Sequence, residues 1–197
     1  MDLRGPGFVL FLLLCCFLAE RFGNVLPTTH MNNTFEYVPI ITANIYADLV
    51  IIFLTFTGIL YNSTTLAKWY KKYRLSAMIA DILIGVLYIL LARYVVYLFQ
   101  WKVGLTVFAL LAVLIQVLGD IAFYLFFSAI PRGANDMLDF FKGYASEVKE
   151  NALYGDSALI IIAVILSGIL HTKSVDVNLV TLIASVYLIP YFIYMKD

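Results

Sequence analysis

"YKKYRLSAMIADILIGVLYILLARYVVYLF", residues Tyr70–Phe99, sets a group of cations at the head of an apolar run and then places an aspartate, Asp81, and an arginine, Arg93, inside it. As a helix rising about 1.5 Å per residue, the part from Ser76 to Phe99 is long enough to cross about 30 Å of hydrocarbon. The rest of the chain reads the same way. Of 197 residues, 63% are apolar and 13% charged, against roughly 25% charged in a soluble domain. A water-soluble fold of this size could not hide so much apolar surface, so a lipid environment is the economical explanation.

Six apolar runs stand out: Phe8–Ala19, Val38–Leu60, Ser76–Phe99, Val103–Ile130, Ser157–Leu170 and Val177–Tyr194. The second, third and fourth are long enough to span. The fifth reaches that length if Tyr154–Asp156 and His171–Thr172 complete its ends, and it forms a tight hairpin with the sixth through "HTKSVD". The expected fold is all-α: a polytopic transmembrane helical bundle with five spans over 38–197. Residues 1–19 form either a signal-like segment or a sixth span, because the first run has one cation, Arg4, an apolar core of signal-peptide size and a small residue, Ala19, near its end. Residues 20–37 connect it to the rest.

Cation distribution sets an expected orientation. With the N-terminus inside, the cytoplasm-facing segments hold Arg4, Lys68, Lys71, Lys72, Arg74, Arg132, Lys142, Lys149 and Lys196. The opposite side holds only Arg21, Lys102 and Lys173, in agreement with the positive-inside rule. "KWYKKYR" then locks the topology, with Lys68, Lys71, Lys72 and Arg74 in the cytoplasm and Trp69, Tyr70 and Tyr73 at headgroup level. The 20–37 segment faces the lumen or exterior, where the sequon Asn32–Asn33–Thr34 is a glycosylation candidate at Asn32. A second sequon, Asn62–Ser63–Thr64, lies too near the inner face for modification.

The one sizeable polar segment, 135–153, repeats Met137, Phe141, Tyr144, Val148 and Ala152 at steps of three or four, which fits an amphipathic helix that either rests on the cytoplasmic surface or docks on protein. Asn135 or Asp136 caps it and Gly155 lies near its end. Its acid content argues against direct attraction to anionic lipid.

Asp48, Asp81, Arg93 and Asp120 are the intramembrane charges, and each is costly in hydrocarbon. Asp81 and Asp120 lie about equally far from the turn near Gln100, so antiparallel helices put them at similar depth. A shared proton, a bound cation, capture of Lys72 or Arg74, or separate contacts with water, Ser76 or Tyr124 would each satisfy them. Arg93 either snorkels to the outer interface or tethers to Asp48 across helices. Small residues at Ser76, Ala77, Ala80, Gly85, Gly119 and Gly168 offer close helix contacts.

No catalytic, cofactor or metal residue is indicated. The two histidines, His30 and His171, have no second ligand at metal spacing, and the adjacent Cys15 and Cys16 read as small buried hydrophobes. HExxH, GxSxG, P-loop and dinucleotide patterns are absent. A formal net charge of +0 provides no basic field for nucleic acid.

Between Tyr61 and Val95, "YNSTTLAKWYKKYRLSAMIADILIGVLYILLARYV" resembles polytopic membrane proteins of the large DNA viruses of algae and amoebae, through its Tyr–Asn, Lys–Trp–Tyr, Leu–Ser–Ala and Ala–Asp succession. The resemblance implies a structural protein of the virion internal membrane, passing through host secretory-pathway membrane during assembly, with loops contacting capsid or minor capsid proteins. It carries over no catalytic residue. Read from residues alone, two further functions stand beside it: a small ion or proton-coupled transporter or channel using Asp81 and Asp120, and an accessory or assembly subunit of a cellular membrane complex. The expected partners are membrane lipid and other membrane or capsid proteins.

Overall fold

The computed structural model describes residues 5–58, 64–148 and 151–195. Arg4, Lys149, Glu150, Lys196 and the Asn62–Ser63 part of the second sequon lie outside the described residues.

The described residues form eight α-helices: α1 (Pro6–Gly23), α2 (Tyr37–Thr57), α3 (Thr64–Tyr73), α4 (Leu75–Leu98), α5 (Leu105–Ala129), α6 (Asp136–Val148), α7 (Asn151–His171) and α8 (Val175–Ile193). All but α3 and α6 belong to the six helices that are long and apolar enough to cross a membrane. Local chemistry sets several boundaries. Pro6 opens α1, where its missing N–H is an orphan position anyway. Gly58, at φ 75°, closes α2 by donating its N–H to the Leu54 and Thr55 carbonyls. The Asn135 side chain accepts from Met137 and Leu138 N–H and so caps α6. Ser174 accepts from Val177 N–H and caps α8.

Helices α2, α4, α5 and α7 pack in the cyclic order α2–α4–α5–α7, with α4 also touching α7 across the ring. Outside the ring, α1 lies against α5 and α7, and α8 against α2. The first run is thus a span-length helix seated on the bundle. Leu12 and Cys16 are buried, and the Glu20 carboxylate accepts from Thr106 N–H and Oγ1 at 2.8 and 2.6 Å, capping α5. Leu83, Leu87 and Leu91 on α4, Leu110, Leu114 and Leu118 on α5, and Val180, Ile183 and Tyr187 on α8 remain exposed around the perimeter. Water does not tolerate apolar surface of that extent, whereas hydrocarbon solvates it and requires the intrahelical backbone pairing seen here. The chain is an integral membrane helical bundle.

Three boundaries differ from the sequence reading. The 61–73 stretch is not a plain loop, since its described part is α3. The amphipathic helix stops at Val148, and Ala152 to Gly155 belong to α7. Of the two placements open to the apolar face of α6, the structure shows docking on protein: Phe140 and Phe141 pack on Trp69 at 5.4 and 4.8 Å, and Phe141 meets Phe123 at 5.2 Å. The small residues divide. Ala77 is buried and Ser76 and Ala80 are exposed. A Cβ on Gly168 would lie 2.8 Å from the Leu26 carbonyl oxygen, so this glycine lets the 24–30 segment cross α7.

Candidate functional site

Helix α2 carries Asn44, Asp48 and Thr55 on one face, because steps of four and seven residues return to nearly the same direction. All three are buried and each has an oxygen without a partner: Asn44 Oδ1, Asp48 Oδ2 and Thr55 Oγ1. Asn44 Nδ2 donates to the Ile40 carbonyl, so its amide is anchored and Oδ1 is turned away toward α4, where only a glycine, Gly85, leaves it room.

Helix α3 supplies the donors that meet the first two aspartates. Tyr70 Oη donates to Asp48 Oδ1 at 2.9 Å, and Trp69 Nε1 donates to Asp81 Oδ2 at 3.0 Å. Burial, then the Asp48 and Asp81 charges, push the Tyr70 phenol well above its usual range, which keeps it a donor. Trp69 and Tyr70 are only 3% and 2% exposed. They are therefore a roof over the carboxylates and not headgroup-level anchors, while Lys68, Lys71 and Lys72 remain exposed. Arg74, at φ 50°, makes the sharp joint that turns α3 back over α4, and its guanidinium stacks on the Tyr194 ring.

On the far side of the ring Tyr88 Oη donates to Asp120 Oδ1 at 2.9 Å, and Gln116 Nε2 donates to Oδ2. Ser157 Oγ in turn donates to Gln116 Oε1 at 2.8 Å. Gly119 makes room for this arrangement, since a Cβ there would sit 2.4 Å from Tyr88 Cε1.

The result is one aspartate from each ring helix, with Asp156 of α7 joining Asp48, Asp81 and Asp120. Asp48 and Asp120 lie about nine residues from the α3–α6 ends of their helices, and Asp81 and Asp156 about five or six, which is about 14 Å against about 8 Å of depth. Asp48 is fully buried, Asp81 and Asp120 half-buried and Asp156 exposed. The carboxylates are near enough to act on one another: Asp81 and Asp156 on Asp48, and Asp120 and Asp81 on Asp156. Among the described residues no ion pair reaches any of the four. Nor do three histidine, cysteine or acidic side chains there converge at metal-ligating distance.

At the opposite end the charges are paired. Arg93 Nη2 donates to Glu36 Oε2 at 3.2 Å and to the His30 carbonyl at 2.6 Å, with both charged side chains fully buried. Glu36 also accepts from His30 N–H at 3.1 Å and pairs with His30 Nδ1 at 3.0 Å, and the Arg93 guanidinium lies 4.9 Å from the Tyr37 ring centre. The expected Asp48–Arg93 tether is not formed. Glu36 is level with Arg93, whereas Asp48 is about 18 Å further along α2 and already bonded to Tyr70. Arg93 does not snorkel, because the His30–Glu36 turn folds over it. Between the two polar ends Ile40, Ile89 and Val164 are buried in the apolar core. Asn32 is exposed in the turn beside this cap.

Comparison of the chain with known protein families, with curated proteins and with solved structures found no match.

Glu36, Tyr88, Gln116 and Asp156 are site residues that sequence reasoning passed over, and Tyr70, read there as an interfacial residue, is a buried donor to Asp48. For Asp156 a signal existed: once the fifth run is extended to span length, that aspartate falls inside it.

Proposed function

We propose that the bundle takes up protons or small monovalent cations from its α3–α6 side and passes them across the membrane, as a small ion- or proton-coupled transporter or channel. The observation that carries this reading is the set Asp48, Asp81, Asp120 and Asp156, one from each helix of the ring and none paired with a cation among the described residues. Intramembrane carboxylates left in that state need a proton or a cation to offset their charge. The unpaired oxygens of Asn44, Asp48 and Thr55 extend the polar track along α2 in both directions. Asp156 and Asp81, nearer the end, are the entry groups. Asp48 and Asp120 are the deeper pair, positioned by Tyr70 on one side and by Tyr88 and Gln116 on the other. The spacing of the carboxylates favours a proton or a weakly held cation over a chelated divalent ion. Passage to the other side requires the buried apolar core that includes Ile40, Ile89 and Val164 to part, which would couple flux to helix movement.

The test is flux into vesicles that contain the purified chain and an internal pH dye, driven by a potassium diffusion potential. Proton entry above that of protein-free vesicles, lost in the Asp48→Asn/Asp120→Asn double variant, is expected. Entry equal to that of empty vesicles overturns the reading.

A second reading is a structural protein that organises a protein shell at a virion internal membrane. It is supported by the polar platform of α3 and α6, where Lys68, Lys71 and Lys72 are exposed, and by the resemblance of the 61–95 stretch. Lysine-directed crosslinking in the native membrane should then join these residues to a coat protein, and crosslinks to lipid-embedded neighbours alone would remove it.

A further inference from the structure

A cavity of about 470 Å³ opens between the end of α5 and the flank of α6, and none of the four ring aspartates lines it. Its walls include Tyr124, Phe127 and Ser128 from α5, Arg132 from the connecting turn, and Lys142 and Ser146 from α6. We propose that this cavity seats the phosphate of an anionic glycerophospholipid from the leaflet at the α3–α6 end, with Arg132 and Lys142 on the phosphate and an acyl chain along α5.

The two cations are prepared differently. Lys142 is held in place: its ammonium donates to the Ile130 carbonyl and lies 3.4 Å from Asp139 Oδ1, with the side chain 12% exposed. That leaves one of its three hydrogens for the cavity. Arg132 is exposed and makes no hydrogen bond or ion pair among the described residues. Its planar fork suits two phosphate oxygens at once. The Ser128 hydroxyl, on the same wall, can donate to a third.

The apolar half of the cavity indicates a lipid over a soluble anion. Tyr124, 52% exposed, forms one wall and continues into exposed Leu125, Phe126 and Ile121 on the hydrocarbon-facing side of α5. A headgroup between Arg132 and Lys142 therefore has its chains beside a surface that is already lipid-facing. A basic pocket at the membrane end of a span is a recurrent anionic headgroup site. The acid content of the 135–153 segment does not prevent this. Asp136 is engaged by Lys72 and Tyr73 on the α3 side, and Asp139 offsets about one of the two cations, which leaves about one net positive charge and a preference of about fivefold for an anionic over a zwitterionic lipid.

The test is lipid retention by the full chain in detergent micelles, read by native mass spectrometry with phosphatidylglycerol and phosphatidylcholine added in equal amounts. One phosphatidylglycerol per chain, preferred about fivefold, is expected. Arg132→Gln should remove the preference and Arg132→Lys should keep most of it. Ser128→Trp, at an exposed position, should block retention by filling the cavity with both cations intact. Equal retention of the two lipids, or undiminished retention in both Arg132→Gln and Ser128→Trp with unchanged helicity, overturns the proposal. Displacement of bound phosphatidylglycerol by millimolar inorganic phosphate overturns the lipid assignment and makes this a soluble-anion site.

Discussion

Glu36 and Arg93 form an ion pair of 3.2 Å in which neither side chain is exposed, and it joins the start of α2 to the far end of α4. The pair is held by a frame, not by charge alone. His30 contributes its backbone N–H to Glu36 and its carbonyl to Arg93, so the turn before α2 closes over both. Arg93 Nε and Nη1 nevertheless have no partner, so part of the guanidinium's desolvation is not offset.

Removing one member of this pair should cost more than removing both. Glu36→Gln or Arg93→Met alone leaves a buried charge or an unmet partner and should destabilise the bundle by about 3–5 kcal/mol. The double variant should recover a large part of that loss. Unfolding of the purified chain in mixed micelles, followed by helicity, measures all three; singles that cost no more than the double would contradict the assignment.

Tyr70→Phe should cost about 1–3 kcal/mol, because Asp48 would then lose its one hydrogen bond while remaining fully buried. The same titration in mixed micelles reads it. Tyr46→Phe serves as a control at a tyrosine whose bond, to the Thr181 carbonyl, is a long 3.4 Å, and it should change little.

Gly119→Ala tests the Asp120 side. The new methyl would fall 2.4 Å from Tyr88 Cε1 and 2.7 Å from its hydroxyl oxygen, so the ring must leave Asp120. The expected loss is about 1–3 kcal/mol of stability, together with a blue shift in tyrosine absorbance as the Tyr88 hydrogen bond to the carboxylate breaks. Retention of that spectral feature would show that the ring adapts in place.

The contact of α3 with α6 should depend on pH at both extremes. Hydrogen bonds from Lys72 and then Tyr73 hold the Asp136 carboxyl below its usual range, and the bond to Asp136 raises the Lys72 ammonium. For Asp136 the contribution is present above about pH 3.9 and is lost as pH falls through the lowered folded value. For Lys72 it is present below about pH 10.4 and is lost as pH rises through the raised one. Both groups are exposed, so the effect should be small and screened by salt. Protection of the first turn of α6, measured as exchange relative to the intrinsic amide rate at each pH, should fall at acid pH in the native chain, with no such acid-linked fall in Asp136→Asn.

Much of the bundle could be read from single segments, and the misreadings share one origin. Counting from one turn put Asp81 and Asp120 at similar depth, but Asp81 lies about 8 Å and Asp120 about 14 Å from the α3–α6 end, since α4 and α5 are offset along their axes. Their immediate partners, Trp69 and Tyr88, could not be found by counting, because each depends on how one helix is rotated against another. Trp69 and Tyr70 stand in a basic, aromatic stretch that resembles an interfacial belt. Only the reversal at Arg74 turns them inward. Glu36 drew no notice because it precedes the apolar run, and the turn that brings it to Arg93 is not recorded in any periodicity.

The amino-acid sequence by itself determined that this is a helical membrane protein. Long, predominantly apolar segments exceed what water can accept, and hydrocarbon forces each to satisfy its own backbone, so this outcome is settled segment by segment. The tertiary structure alone decided which polar groups meet: Arg93 with Glu36, Asp48 with Tyr70, Asp120 with Tyr88. Each step along a helix advances a side chain by about 1.5 Å and turns it by about 100°. Partners are thus fixed by the relative height and rotation of two helices, and neither quantity belongs to any one segment.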